Sequence, residues 1–188
     1  MCGFIFTMGN IKKSELSKAI NSISHRGPDD KNFYFDDKER ISIGHCRLSI
    51  VDDKNGTQPF ISNDKNLILL FNGEIYNYHY LKKKLEKNGV KFLTKNSDTE
   101  LVLKAYEFYG EEVFKLLDGQ FAILIYNKKK NEVVIARDQF GEKPVFYYFN
   151  DGIFVAGSEL RIFENFYNLN LKINLLSLQR YFIYFIIF

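Results

Sequence analysis

The segments that read as strands gather towards the two ends of the chain, and most of those that read as helices lie between them. Apolar and aromatic runs bounded by turn residues mark strands at 2–8, 32–35, 40–44 and 67–71, then at 120–126, 132–137, 145–149 and 153–156. A further short strand is expected at 90–93. Helical spacing marks 14–24 through Leu16, Ala19, Ile20 and Ile23, and 77–88 through Tyr78, Leu81 and Leu85. A third helix begins at Ser97-Asp98-Thr99-Glu100, a capping-box pattern, and runs to Tyr109 with Leu101, Ala105 and Phe108 inward. A shorter one covers 111–117. Asn77 is placed to cap the second helix, and Gly89 and Gly110 to end the second and third. Asn72-Gly73 reads as the turn that closes strand 67–71. No regular βαβ alternation appears. The expectation is an α+β fold of antiparallel sheets packed on each other with helices outside. The 188 residues suffice for one well-cored domain.

Chemistry enters at Met1-Cys2-Gly3. Removal of Met1 leaves a residue that carries both a nucleophile, its sulfur, and a base, its own α-amine. Reference pKa values of about 8 for such an amine and about 8.5 for a thiol let the amine take the thiol proton near neutral pH. Cys2 and Cys46 are the two cysteines, too few for a disulfide framework, and a working Cys2 requires a reducing compartment. Cys46 reads as a small packed side chain. The first residues lack the basic and apolar regions of a signal peptide, and the apolar stretch 181–188 is far short of the ~20 residues that span a bilayer. The expected location is therefore cytoplasmic. Net charge is +3, with Lys82-Lys83-Lys84 and Lys128-Lys129-Lys130 read as a solvated helix face and a hairpin tip rather than a nucleic-acid footprint. No Cys/His cluster has zinc-like spacing, and no phosphate-cradling glycine loop occurs, so neither metal nor cofactor is expected.

Six stretches occur in a characteristic order: Cys2-Gly3; His25-Arg26-Gly27-Pro28-Asp29; Arg47-Leu48-Ser49-Ile50-Val51-Asp52; Asn72-Gly73-Glu74-Ile75-Tyr76-Asn77; Ser97-Asp98-Thr99-Glu100; and Arg137-Asp138-Gln139-Phe140-Gly141-Glu142-Lys143-Pro144. Over roughly residues 2–165 they resemble the N-terminal glutaminase domain of glutamine-hydrolysing asparagine synthetases, a class II glutamine amidotransferase. The resemblance implies an Ntn-hydrolase fold, a four-layer αββα sandwich with two antiparallel sheets. It implies hydrolysis of L-glutamine to glutamate and ammonia through a thioester on Cys2. The Asn72 side-chain amide and the Gly73 N–H would form the oxyanion hole. Arg47 would bind the α-carboxylate and Asp98 the α-ammonium, with Leu48, Ser49, Ile50, Val51, Gly73 and Glu74 lining the pocket. Each role suits its residue: a guanidinium binds a carboxylate with two parallel bonds, and glycine lets a substrate approach the backbone. His25 receives no catalytic part, since the nucleophile brings its own base; Arg26 to Asp29 shape the pocket wall, and 137–144 reads as architecture.

Two departures from the family pattern stand out. Phe6 occupies a position where many relatives carry a small residue, which implies altered packing. The Ser-Gly-Gly-x-Asp-Ser loop of an ATP-pyrophosphatase domain is absent, so ATP and Mg would belong to a synthetase domain outside this sequence. Residues 166–188 read as the start of a connection to it, in the same protein or on another chain, and a homodimer is a further expected partner. Other readings stay open: a glutamine-sensing or regulatory module without turnover, an inactive fragment, or an amidase for a different amide.

Overall fold

In the computed structural model, residues 2–48 and 57–185 are described. In chain order they form β1 (Gly3–Met8), α1 (Lys13–Ser22), β2 (Asp30–Asp36), β3 (Ile41–Arg47), β4 (Phe60–Ile61), β5 (Leu67–Ile75), α2 (Tyr78–Lys87), α3 (Asp98–Tyr109), β6 (Gly119–Asn127), β7 (Glu132–Arg137), β8 (Phe146–Asn150), β9 (Ile153–Gly157) and α4 (Leu175–Tyr184). Short 3-10 helices lie at Ser24–Arg26, Gly110–Lys115 and Leu160–Asn165.

The strands make two antiparallel sheets, ordered β2-β3-β1-β9-β8 and β4-β5-β6-β7. Successive side chains on a strand face opposite ways, and this sorts the core into three layers. Phe4, Phe6, Ile41, Ile43 and Ala156 of the first sheet meet Ile68, Leu70, Ala122, Leu124 and Tyr126 of the second. The alternate residues Ile5 and Val155 pack outward on Leu16, Ala19 and Ile20 of α1. Leu69, Phe71, Ile123 and Ile125 pack outward on Leu81 and Leu85 of α2 and Leu101 and Ala105 of α3. The order is helix, sheet, sheet, helix: the expected four-layer αββα sandwich. Central strands such as β5 and β6 are apolar at consecutive positions because both faces are covered, and each fully buried Leu, Ile or Phe contributes about 1.5–3 kcal/mol relative to exposure. Phe6 fits between the sheets with its ring 5.7 Å from that of Tyr126 and 6.0 Å from that of Phe154. Cys46 is buried on the α1 side, its Sγ 3.4 Å from Ile23 O, and burial pushes its thiol pKa up.

The differences from the sequence reading have local causes. Strand 67–71 does not end at Asn72-Gly73 but continues to Ile75, with Asn72 opposite Ala122 and Gly73 opposite Phe121. Glycine is needed at 73 because a Cβ would collide with the Gln120 carbonyl and Phe121. Residues 90–93 are not a strand, because the Leu93 and Thr94 amides donate to the Glu100 carboxylate instead of to a neighbouring strand. The capping box at α3 is therefore half formed: Ser97 Oγ accepts from Glu100 N, but the Glu100 side chain is turned to residues 93–94. Asn77 stands at the N-cap of α2, yet its amide bridges to Leu116 O and Asp118 N rather than capping. The expected helix at 111–117 is the short 3-10 turn at Gly110–Lys115, and Phe108, expected inward, is exposed. α4 falls where the sequence marks no helix, and none of its described residues is buried.

Candidate active site

The alternation that builds the inter-sheet layer also ends it in a polar cluster. Cys2 precedes β1 in the same phase as Phe4 and Phe6; Asn72 follows Ile68 and Leu70 on β5; Arg47 follows Ile41 and Ile43 on β3. All three therefore come from inter-sheet faces at one end of the sandwich, where they line a cavity of about 670 Å³. Leu48, Gly73, Glu74 and Asp98 line the same cavity. Of the residues expected in the site, Ser49, Ile50 and Val51 lie outside the described residues.

Cys2 is half-buried, with Sγ 3.9 Å from Leu48 O. Its carbonyl is gripped from two sides. Arg26 Nε donates to Cys2 O at 3.1 Å, and the Asn72 Nδ2 donates to the same oxygen at 3.2 Å. The Asn72 Oδ1 accepts from Arg26 Nη2, also at 3.2 Å; the opposite amide orientation would set oxygen against oxygen and N–H against N–H. Arg26 Nη1 in turn donates to Glu159 Oε1 at 3.1 Å, and His25 Nε2 lies 2.8 Å from that same oxygen. His25 is thus an outer partner of Glu159 and does not line the cavity. A side chain at Gly3 would force its neighbours to shift, since a Cβ there would meet Cys46 Sγ at 2.8 Å and Arg26 Cδ at 3.2 Å.

The free edge of β5 supplies a backbone donor. Amide groups point to alternate edges of a strand, so those of Phe71, Gly73 and Ile75 leave β5 on one side. Phe71 N donates to Gln58 Oε1 at 2.7 Å while Gln58 Nε2 donates to Phe71 O at 2.8 Å, a side chain imitating a neighbouring strand. Ile75 N donates to Asp98 Oδ2 at 2.9 Å. The Gly73 N–H sits between these two, beside the cavity that Gly73 and Gln58 both line.

The cavity wall carries charges of both signs, Arg47 and Lys143 as cations and Glu74 and Asp98 as anions. Asp98 opens α3, where the helix dipole favours an acid. Burial nonetheless pushes its carboxyl above the ordinary aspartate range; the Glu74 charge adds to this, and the Ile75 N–H and His79 oppose it. Lys143 is reached by a tight turn built on Asp138, whose carboxylate accepts from the backbone N–H groups of Phe121, Phe140, Glu142 and Lys143. Burial raises the Asp138 pKa, but those four bonds outweigh it and leave the carboxyl below its usual value. Segment 137–144 is architecture as read from the sequence, yet it also delivers a cation to the cavity wall.

Sequence reasoning missed Gln58, Lys143 and Glu159. Lys143 lies within 137–144 and Gln58 between 47–52 and 72–77, neither with a local pattern to mark it, and Glu159 joins the site only across 133 residues of chain. Among the described residues, no group of three or more His, Cys, Asp or Glu side chains is placed to hold a metal, and no helix is long and apolar enough to cross a membrane.

Comparison with known proteins gives one family. The family model described as a glutamine amidotransferase domain matches residues 1–187. The chain is 39% identical over 191 residues to asparagine synthetase [glutamine-hydrolyzing] 1 of Bacillus subtilis (strain 168), covering 96% of this chain and 29% of that protein. It is 42% identical over 132 residues to asparagine synthetase [glutamine-hydrolyzing] 2 of the same organism, covering 70% of this chain and 17% of the relative. The chain thus spans less than a third of the length of either. Among solved structures, the allosteric regulatory enzyme of purine biosynthesis superposes with a TM-score of 0.74 at 22% identity, over 87% of this chain and 43% of that one. Glutamine phosphoribosylpyrophosphate amidotransferase from B. subtilis gives 0.70 at 24% identity, over the same shares. The chain therefore belongs to the glutamine amidotransferase domain family, with the Ntn-hydrolase fold, and is of the class II kind found in glutamine-hydrolysing asparagine synthetases.

Proposed function

We propose that this domain hydrolyses L-glutamine to glutamate and ammonia with Cys2 as nucleophile, once Met1 has been removed. The observation that carries this reading is the meeting of Cys2, the Asn72 amide and the Gly73 edge of β5 at a cavity with Arg47 and Asp98 in its wall. The α-amine of Cys2 takes the thiol proton, and the sulfur attacks the side-chain carbonyl carbon of glutamine. The carbonyl electron pair moves to oxygen, where the Asn72 Nδ2 and the Gly73 N–H stabilise the charge; one such donor is worth about 10²–10³ in rate. Collapse breaks the C–N bond, and the leaving nitrogen takes the proton from the Cys2 ammonium and departs as ammonia. Water then attacks the γ-glutamyl thioester, giving glutamate and the free thiol. Arg47 binds the α-carboxylate, Asp98 the α-ammonium, and Leu48, Ser49, Ile50, Val51 and Glu74 complete the pocket.

The relatives named as synthetases are more than three times as long as this chain, which supports a division of labour. Ammonia made here would be used by a synthetase domain, and residues 166–188 begin the connection to it. Conversion of Cys2→Ala is expected to abolish ammonia release from glutamine, with the thermal unfolding midpoint within about 4 °C of the parent, since Cys2 is half-buried and a small substitution costs at most about 1 kcal/mol. Turnover of glutamine by the Cys2→Ala protein at the parent rate would overturn the reading.

A further inference from the structure

We infer that Glu159 is a positioning residue for the reaction: through Arg26 it fixes which end of the Asn72 carboxamide faces the nucleophile. The inference rests on the reading of Asn72 as a donor to the oxyanion, and adds to that reading the device that keeps the amide correctly turned.

A terminal carboxamide has two nearly equivalent orientations about its last torsion. Only one presents N–H to a developing negative charge; the other presents a carbonyl oxygen and repels it. Asn72 is 3% exposed, so the choice falls to its two protein partners, the Cys2 carbonyl that accepts from Nδ2 and the Arg26 Nη2 that donates to Oδ1, and Arg26 Nε also holds that carbonyl in place. Arg26 is itself long and flexible, and its side chain is only 7% exposed. A guanidinium so enclosed needs a counter-charge, because its neutral acceptors Cys2 O and Asn72 Oδ1 do not offset the loss of hydration. Glu159 is the carboxylate bonded to it, at 3.1 Å. Glu159 is held in turn by His25 Nε2 at 2.8 Å and by Arg161 Nε at 3.0 Å. Burial raises the Glu159 pKa, but the bonds from His25 and Arg26 outweigh it and keep the carboxyl below the usual glutamate range.

The backbone arrives at this place for a second reason. Ser158 N donates to Phe4 O at 3.1 Å, and Ser158 Oγ accepts from Phe4 N at 3.0 Å. The dipeptide at the end of β9 therefore clasps β1 two residues after the nucleophile with Ser158, and holds the guanidinium on Cys2 with Glu159.

The test is made on the full chain with Glu159→Ala and the isosteric Glu159→Gln. Ala is expected to lower kcat about 10- to 100-fold with KM changed less than about 3-fold, and Gln to fall between it and the parent. An aldehyde analogue of glutamine separates positioning from general damage. The Cys2 sulfur adds to its carbonyl carbon, the carbonyl electron pair goes to oxygen, and the thiol proton follows, giving a tetrahedral adduct that needs the Asn72 donor. Its inhibition constant should weaken by the same factor as kcat/KM. Alkylation of Cys2 by iodoacetamide, which builds no oxyanion, should keep its rate within about 3-fold. Should the Ala variant not fold, the Gln variant carries the same comparison with an expected loss of about 10-fold in kcat. Unchanged kcat in a folded variant would overturn the inference, and so would a parallel fall in turnover, alkylation and glutamine affinity, which is the signature of a merely structural role. A parent protein with no glutaminase activity would overturn the proposed function and this inference with it; an active parent with an unaffected variant would overturn the inference alone.

Discussion

At the scale of single residues, the site shows how little of a side chain's role is carried by its immediate sequence neighbours. Asp98 looks like an ordinary first-turn helix acid, and the dipole argument alone accounts for it. What sets it apart is that it faces a cavity, accepts from Ile75 N, and is pushed above the usual aspartate range by burial and by Glu74. If it receives the α-ammonium of glutamine, it must be ionised to do so. A raised pKa then means that affinity, constant at neutral pH, weakens as pH falls through that raised value, earlier than for an exposed aspartate. Glutamine dissociation constants measured in the Cys2→Ala background, where the nucleophile's amine plays no part in turnover, should show this acid limb. Asp98→Asn should bind more weakly at pH 7 and lack the limb, and an Asn variant with parental affinity would remove Asp98 from the binding role.

At the scale of elements, the outer edge of β5 is the part the sequence hid. Asn72-Gly73 reads as a turn because that dipeptide usually is one, and the reading fails here because Gly73 answers to the Gln120 carbonyl across the sheet, a partner 47 positions away in the chain. The β5 edge is served by β4 at Ile68 and Leu69, by the Gln58 side chain at Phe71 and by Asp98 at Ile75. Only long-range pairing decides this. Helices, by contrast, were legible from apolar spacing, as in α1, and most sharply where a terminating glycine agreed with it, as in α2 and α3. Gln58→Ala would leave a buried N–H and C=O of Phe71 unmatched, at a cost of about 1–3 kcal/mol, and would loosen the strand one residue before Asn72. Urea unfolding should report that loss, and kcat for glutamine should fall more than KM rises. Parental stability together with parental kcat would contradict this account of the edge.

At the scale of the whole molecule, the four layers follow from strand alternation and were legible, while the polar end of the inter-sheet layer was visible only through the family resemblance. That layer also holds one group nothing in the sequence singled out. His45 lies on the β3 face shared by Ile41 and Ile43, fully buried, and its ring nitrogens have no hydrogen-bond partner among the described residues. Burial, aided by the Arg47 charge, lowers its pKa to about 4. The unfolded chain, with an ordinary histidine near 6.5, therefore binds a proton that the folded state refuses. Stability is full above about pH 6.5 and is lost as pH falls towards about 4, by up to about 3 kcal/mol from this residue. His45→Leu should flatten the dependence of the urea midpoint on pH between 7 and 5; equal slopes in both proteins would show that His45 does not titrate in this way. The apolar side chains of α4, Leu175 and Phe182 among them, remain exposed in the chain as it stands.

The central claim is that residue 2, freed of the methionine before it, acts on a glutamine side chain. Intact-mass spectrometry of the full chain, before and after exposure to a diazo-ketone analogue of glutamine, tests both halves in one experiment. The account predicts a mass lower by one methionine, a single adduct carried by the N-terminal peptide, and protection of that peptide by L-glutamine. A retained Met1, or an adduct on Cys46 in place of Cys2, would contradict it.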